Sequence, residues 1–204
     1  LIHVPNSVET ETFTNAPYTN KPIKGDHIWI TFVGRLHPQK GLVELTRIMR
    51  QVLAINPAVK FLIIGDGPLK DKLRALYVTE IQSEQVYITG LRDDVAGLLG
   101  ASDLFIMPSL WEGMPNAMME AMASGLPVVA FDTHGVAELL GPEQPLQCVE
   151  VKNYQKFKQS IERLLSDPSL RNELGHNNRE RMREHFSLSR HVSEHESIYQ
   201  HLFV

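Results

Sequence analysis

Two glutamates, Glu112 and Glu120, carry the most specific chemistry in this sequence. Glu112 follows an apolar segment in a Gly-containing loop, and Glu120 lies inside a helix predicted over 115–124. Pro115 suits the first position of that helix, where its missing N–H costs nothing. The free N–H groups of Asn116 and its neighbours suit a phosphate, and the two carboxylates can accept hydrogen bonds from hydroxyl groups. The pattern therefore predicts a site for phosphates beside hydroxyls, which is the chemistry of a nucleotide sugar.

The sequence around Glu120 favours a functional role for its carboxylate. Apolar residues lie on both sides of it, from Ala117 to Met122. A carboxylate in such surroundings is seldom buried without a partner. The alternative is that Glu112 is a solvated loop acid and Glu120 a solvated acid on a helix face. We favour the functional interpretation because basic and Gly-rich motifs elsewhere in the chain agree with it.

A basic motif, residues 34–41, follows the first predicted strand. Arg35 offers a planar fork of donors and Lys40 a compact point charge, a common pair for binding a diphosphate. Gly34 allows the backbone to approach a ligand closely. The alternative is an ordinary turn with two solvated charges, which becomes less attractive when Glu112 and Glu120 are considered together with it.

Two further Gly-rich turns follow predicted strands. Gly65 and Asp66 would line the base and ribose side of the pocket, although a tight turn requiring positive φ explains Asp66 equally well. No Gly-x-Gly-x-x-Gly pattern opens the helix that follows, so this turn is not a dinucleotide fingerprint. Leu91 could pack against a base, whereas Arg92 could be only a charge at a helix start.

Apolar segments with β-branched residues alternate with segments of helical periodicity. This alternation predicts a Rossmann-like α/β fold with a doubly wound parallel sheet, which binds ligands at the carboxyl ends of its strands. Residues 1–6 resemble a short strand, and 7–27 a linker or surface loop. The predicted strands are 28–33, 61–64, 86–89, 104–107, 128–131 and 146–149, and the predicted helices are 40–55, 69–80, 93–101, 115–124, 136–140, 153–165, 167–185 and 187–203.

Charge and residue counts argue against several kinds of function and site. The net charge of −4 argues against nonspecific binding to nucleic acid. A single cysteine, Cys148, excludes an internal disulfide and fits a reducing compartment. His191 and His195 have metal-ligand spacing, but without a supporting motif we favour a solvated helix face and predict no metal site. The chain lacks an initiator methionine, so we expect it to be part of a longer protein.

These motifs resemble the carboxyl-terminal, donor-binding domain of retaining GT-B glycosyltransferases of family 4, the group 1 transferases. Two departures from the family pattern are Met114-Pro115-Asn116 after Glu112-Gly113, where Phe-Gly is commoner, and Ser7 after Asn6, where Gly is usual. The matching segments are Gly34-Arg35-Leu36 with Lys40-Gly41, Gly65-Asp66-Gly67-Pro68, Ala101-Ser102-Asp103 with Pro108-Ser109, Glu112-Gly113 with Glu120-Ala121-Met122-Ala123, and Gly125 with Pro127-Val128-Val129-Ala130.

The resemblance implies roles for individual residues. Arg35 and Lys40 would neutralise the donor diphosphate and the charge that develops on the leaving nucleotide. Glu112 would bind the transferred sugar and Glu120 the ribose hydroxyls, so that Arg35, Lys40 and Glu112 are the predicted catalytic residues. The remaining predicted donor-binding residues are Gly34, Gly65, Asp66, Leu91, Gly113, Met114, Pro115 and Asn116.

The resemblance also implies a domain organisation. Residues 1–27 would be an interdomain segment and loop, 28–185 the nucleotide-sugar-binding domain, and 186–204 a helix that crosses back to an amino-terminal acceptor domain absent from this chain. The chain alone would bind donor without catalysing transfer.

The expected donor is a nucleotide-diphosphate sugar, with UDP favoured over GDP or ADP, and no cofactor is expected. The acceptor would be a glycan or a lipid-linked glycan, bound through the missing domain. The expected location is the cytoplasm, with peripheral association at the inner face of the membrane left open. Two alternatives are also left open: a nucleotide-sugar epimerase of the same fold, and a non-catalytic nucleotide-sugar-binding module.

Overall fold

A computed structural model describes residues 4–16, 27–141 and 144–202. The described strands form a six-stranded parallel sheet in the order β3-β2-β1-β4-β5-β6, with helices on both faces. The predicted Rossmann-like α/β fold is therefore confirmed. The strands are β1 (Ile28–Val33), β2 (Val59–Ile64), β3 (Val86–Gly90), β4 (Leu104–Met107), β5 (Val128–Phe131) and β6 (Cys148–Val149).

Except for α1, which falls in a segment predicted as a loop, the helices lie where the periodicity predicted them, with shifted boundaries and one break. They are α1 (Thr10–Thr14), α2 (Leu42–Ile55), α3 (Lys70–Leu76), α4 (Val78–Gln82), α5 (Val95–Gly100), α6 (Asn116–Ala123), α7 (Val136–Leu140), α8 (Tyr154–Ser166), α9 (Pro168–His185) and α10 (Leu188–Leu202). A short 3-10 helix, Pro38–Lys40, precedes α2.

The strand order reverses at β1, which is paired with β2 on one side and β4 on the other. In open parallel sheets this reversal leaves a crevice at the carboxyl ends of the two central strands, where ligands bind. The segments that leave β1 and β4 carry Lys40 and Glu112 respectively. The topology therefore brings the two most specific motifs of the sequence to one edge of the sheet.

The central strands β1 and β4 are apolar except for Thr31, because both faces of the sheet are covered. On one face, Ile30 and Phe32 of β1 pack in a cluster with residues of α2 and α8. On the other face, Phe105 of β4 packs with methionines of α6 and with Met182 of α9. Methionines 107, 118, 119 and 122 are all buried, so these side chains serve core packing.

The helix predicted over 69–80 is two helices, so the prediction of one continuous helix was wrong. The break lies at Tyr77, whose φ of −123° leaves the helical region. Its ring is fully buried and its hydroxyl donates to the backbone oxygen of Thr46 at 2.7 Å. Burial raises the pKa of Tyr77 to about 12. Burying the ring and satisfying its hydroxyl therefore override the local preference for continuing the helix.

The helix predicted over 40–55 begins only at Leu42, because Gly41 has a left-handed backbone with a φ of 65°. A Cβ at Gly41 would lie 1.8 Å from the backbone oxygen of Pro108. The chain therefore needs glycine here both for its backbone conformation and for the close approach of two loops.

The short strand predicted over 1–6 is also corrected. Residues 1–3 lie outside the described residues, and Val4–Asn6 belong to no strand. The pairing occurs two residues later, where Val8 forms a parallel bridge with Ser187. Part of the segment predicted as a loop over 7–27 forms α1, which packs against α5 and α6, and residues 17–26 lie outside the described residues.

Candidate functional site

An ion pair joins the two central motifs at the carboxyl edge of the sheet. The ammonium group of Lys40 lies 2.6 Å from Oε1 of Glu112, and the side chains are 22% and 7% exposed respectively. A nearly buried carboxylate requires such a partner, because removing its charge from water is costly. The pair leaves Lys40 with further N–H donors and Glu112 with a second oxygen, both available to a ligand.

The loops carrying these two residues are held together by neighbouring contacts. The backbone oxygen of Gln39 accepts from the N–H of Leu110 at 2.9 Å. The side-chain amide of Gln39 donates to the backbone oxygen of Trp111 at 3.3 Å. Together with the contact of Gly41 against Pro108, these bonds fix the register of the two loops. The ion pair therefore belongs to a larger contact between the two loops, which these hydrogen bonds stabilise.

Arg35 differs from Lys40 in that it is exposed. Its guanidinium makes no hydrogen bond or ion pair within the described ranges 4–16, 27–141 and 144–202. Gly34, which precedes it, packs against Gly65, where a Cβ would lie 1.9 Å from the Gly34 backbone oxygen. Arg35 thus presents an uncommitted cation at the same edge of the sheet.

The loop after Glu112 leads into α6, whose first residue is Asn116. Pro115 is the residue before the helix, with a φ of −78° and a ψ of 105°, so the prediction that it occupies the first helical position was wrong by one residue. Its backbone oxygen accepts from the N–H groups of Met118 and Met119. The N–H groups at the start of a helix have no acceptor within the helix, and here they lie on the same short loop as Glu112.

Glu120 lies on α6 and is partly buried. Burial raises the pKa of its carboxyl group above the usual range. Its carboxylate oxygens find no hydrogen-bond donor in the part of the chain that the structure describes. Hydroxyl groups from a ligand would supply the missing donors and stabilise the ionised form.

Asp66 is engaged within its own turn. Its carboxylate accepts from the N–H of Gly67 at 2.7 Å and from the Lys70 ammonium group at 2.8 Å. The hydrogen bond from Lys70, followed by that from Gly67, holds the pKa of Asp66 below its usual range. The structure therefore brings Asp66 to Lys70 and not to the ion pair, in agreement with the alternative interpretation of this motif as a tight turn.

Leu91 follows Gly90 at the end of β3, and 81% of it is exposed. Its neighbour Arg92 forms an ion pair with Asp94 at 2.5 Å, beside the start of α5. Arg92 is therefore a charge at a helix start, which is the alternative that the sequence left open for it. The apolar side chain of Leu91 is exposed and can pack against a flat ligand group.

Two contributors to the site were missed by the sequence reasoning. Asn6 contacts the loop after Glu112, but it is more than a hundred residues away in sequence, so no local pattern indicates it. Gly135 lies against that loop, and a Cβ there would be 2.1 Å from the Gly113 backbone oxygen. A glycine after a strand is a detectable signal for such a contact. A cavity of about 230 Å³ adjoins this region and is lined by Val4, Pro5, Asn6, Gly113, Met114, His134, Gly135 and Glu138.

The helical histidine pair lies on α10. The rings of His191 and His195 are 4.4 Å apart, and each Nδ1 bonds a backbone oxygen. Among the residues of known placement, no group of three or more His, Cys, Asp or Glu side chains could hold a metal ion. No helix of the described chain is long and apolar enough to cross a bilayer.

Comparison with known proteins identifies the family. Residues 19–181 match the family model of the glycosyl transferases group 1. The chain belongs to this family and corresponds to the carboxyl-terminal domain of its GT-B-type members. It covers 99% of a solved C-terminal domain of a group 1 glycosyl transferase, LpcC from Francisella tularensis, with a TM-score of 0.76, 24% identity and 89% of this chain aligned.

Longer relatives give the same assignment. The chain is 31% identical to an Escherichia coli UDP-Gal:alpha-D-GlcNAc-diphosphoundecaprenol alpha-1,3-galactosyltransferase, covering 96% of this chain and 53% of the relative. It is 30% identical to a GDP-mannose-dependent mannosyltransferase acting on a monoacylated phosphatidylinositol monomannoside in Corynebacterium glutamicum. That alignment covers 85% of this chain and 49% of the relative. The chain thus spans about half the length of these relatives.

A solved structure extends the comparison to a ligand complex. Staphylococcus aureus TarM, a mutant determined with Fondaparinux, alpha-GlcNAc-glycerol and UDP, superposes with a TM-score of 0.78 at 25% identity, covering 90% of this chain and 38% of TarM.

Proposed function

We propose that this chain is the donor-binding half of a retaining family 4 glycosyltransferase, and that it binds a nucleotide-diphosphate sugar at the carboxyl edge of its sheet. The observation that carries the proposal is the Lys40–Glu112 ion pair, which joins a phosphate-seeking cation to a hydroxyl-seeking carboxylate. A ligand that engages both groups would carry an anionic group next to hydroxyl groups. A nucleotide sugar meets that requirement.

The proposed roles follow from the charges. As the bond between sugar and diphosphate breaks, negative charge accumulates on the leaving nucleotide, and preorganised cations near it lower the barrier. Arg35 is exposed and uncommitted, and Lys40 keeps donors beyond the one given to Glu112. The second oxygen of Glu112 accepts from a hydroxyl of the transferred sugar. This charge stabilisation requires no metal ion, and we propose none.

The nucleoside is assigned to the other side of the pocket. Glu120 has no donor among the described residues, and ribose hydroxyls would supply two. Leu91 offers an exposed apolar surface to the base. UDP is the proposed nucleotide because the E. coli relative is named for UDP-Gal and TarM was determined with UDP.

The acceptor is proposed to be a glycan or a lipid-linked glycan, as the names of the two relatives suggest for those proteins. It would bind through an amino-terminal domain that lies outside this chain. In this arrangement, 1–27 connects the two domains, 28–185 binds the donor, and 186–204 crosses back. Transfer would take place in the cytoplasm with retention of configuration, and this chain alone would not catalyse it.

Calorimetric titration of the chain with UDP, GDP and ADP tests the proposal. We expect UDP to bind best, and Arg35→Ala to weaken binding about tenfold, since one charge-assisted hydrogen bond to phosphate is lost. Arg163→Ala is the matched control. Arg163 lies on α8 and forms an ion pair with Asp167, four residues further along the chain, at 3.0 Å. Equal UDP affinity in the parent and the Arg35 variant would contradict the phosphate assignment. NMR analysis of the product formed by the full-length protein would establish whether the anomeric configuration is retained.

A further inference from the structure

Asn6 contacts the loop between Glu112 and α6 at three points. Its side-chain amide nitrogen donates to Oδ1 of Asn116 at 3.1 Å and to the backbone oxygen of Met114 at 3.4 Å. Its backbone N–H lies 3.2 Å from the sulfur of Met114. These bonds join the segment that enters the domain to the loop beside the ion pair.

The contacts determine how both amides are oriented. A backbone oxygen can only accept, so the group of Asn6 that faces Met114 must be its NH₂. The same NH₂ faces Asn116, which must therefore present its oxygen. The two side chains therefore have one consistent arrangement. The NH₂ group of Asn6 donates to the backbone oxygen of Met114 and to the side-chain oxygen of Asn116.

The anchored loop connects two parts of the proposed site. Glu112 lies at its beginning and Asn116, the first residue of α6, lies at its end. Lys40 holds the first end and Asn6 holds the middle and the second end. The backbone oxygen of Gly113 also lies against Gly135, which gives the loop a further contact.

We infer that Asn6 is a positioning residue that sets the separation between the sugar-binding carboxylate of Glu112 and the phosphate-binding start of α6. The inference rests on the proposed function and adds a residue to it. A nucleotide sugar engages both Glu112 and the start of α6, whereas a nucleoside diphosphate has no transferred sugar for Glu112 to bind. Loss of the anchor therefore penalises the nucleotide sugar more than the nucleoside diphosphate.

The test compares two ligands with each variant of the 204-residue chain. The probes are UDP with UDP-galactose and GDP with GDP-mannose, which carry the donor groups named for the two relatives. Asn6→Ala removes the side-chain donor, and Asn6→Asp keeps the size but replaces the donor with an acceptor. Ser7→Ala is the control at the adjacent position. The thermal midpoint of each unliganded variant shows whether it is folded.

For whichever pair binds the parent, we expect both Asn6 variants to lose about tenfold in affinity for the nucleotide sugar and about twofold for the nucleoside diphosphate. Asn6→Asp should be at least as damaging as Asn6→Ala. In the Asn116→Ala background, Asn6→Ala should add less than it costs alone, because the two residues share one bond.

Two results would overturn the inference. Equal losses for the two ligands would mean that Asn6 has only a general structural effect, and unchanged affinities would mean that the anchor is irrelevant to the site. Failure of the parent chain to bind any of the four probes would instead refute the proposed function, and the role of Asn6 with it. The parent titration therefore separates the two failures.

Discussion

Replacing Lys40 with alanine should weaken both the fold and the site, because the Glu112 carboxylate loses its ion-pair partner. That carboxylate is 7% exposed and lies 2.6 Å from the Lys40 ammonium group. Water therefore contacts only a small part of this side chain in the folded chain. Lys40 is more accessible than Glu112. The loss of folding stability on removing Lys40 should therefore lie between the losses expected for a buried and for an exposed ion pair.

The magnitude follows from these limits. Removing one partner of a fully buried pair costs about 3–5 kcal/mol, and exposed pairs contribute roughly 0.2–1 kcal/mol. For Lys40→Ala we expect a loss of about 1–3 kcal/mol in the free energy of unfolding. In a domain of this size that corresponds to a fall in Tm of roughly 2–10 °C. Affinity for UDP should fall about 10- to 100-fold, since a charge-assisted hydrogen bond to phosphate disappears.

Urea denaturation followed by circular dichroism, together with calorimetric titration of UDP, measures both effects. Lys158→Ala is the matched control, because it also removes a lysine from an ion pair, with Glu162 at 3.2 Å on the surface of α8. Its expected cost is below about 0.5 kcal/mol, with no change in UDP affinity.

Two results would contradict the prediction for Lys40. If Lys40→Ala and Lys158→Ala destabilise the chain equally, the Lys40–Glu112 pair does not bury a carboxylate in solution. If Lys40→Ala is destabilised as expected but binds UDP with parental affinity, the pair is structural and the phosphate assignment of Lys40 is wrong.

Further predictions concern Glu120 and Gly135. Burial raises the pKa of Glu120, so the folded chain holds this proton more tightly than the unfolded chain, and the contribution of Glu120 to stability should fall as pH rises past the ordinary glutamate range. Glu120→Gln should therefore gain stability relative to the parent between pH 4 and pH 7 while binding UDP more weakly; parallel pH–stability curves would contradict this. Gly135→Ala should lose roughly 1–3 kcal/mol, because its φ is 81° and the new Cβ would meet the backbone of Gly113. Gly100→Ala, with open space around its Cβ, should be neutral or slightly stabilising by the same denaturation assay.

Much of the fold could be predicted because its strands carry local signals. A parallel strand buried on both faces is a short apolar run; β4 and β5 are such runs, and β1 and β2 are apolar except for Thr31 and Lys60. The alternation of these runs with helical periodicity leaves few topologies besides a doubly wound sheet. The grouping of Arg35, Lys40 and Glu112 at one edge follows from that topology.

The errors arose where a distant contact overrides a local preference. Helical periodicity continues through Tyr77, but burial of its ring and the hydrogen bond to Thr46 end the helix there. Similarly, residues 40 and 41 fit the periodicity of α2, while the approach of Gly41 to Pro108 requires a left-handed backbone.

The amino-acid sequence alone predicts the alternation of strands and helices, the sheet edge at which the Gly-rich turns meet, and the residue types able to bind phosphate and hydroxyl groups. These properties depend on periodicity and composition over short windows. The pairing of Lys40 with Glu112 and the contact of Asn6 with the loop before α6 could be learned only from the folded structure. Hydrogen bonds and ion pairs act over only a few ångströms. Their partners are therefore established only when folding, including the pairing of β1 with β4, brings loops that are remote in sequence together.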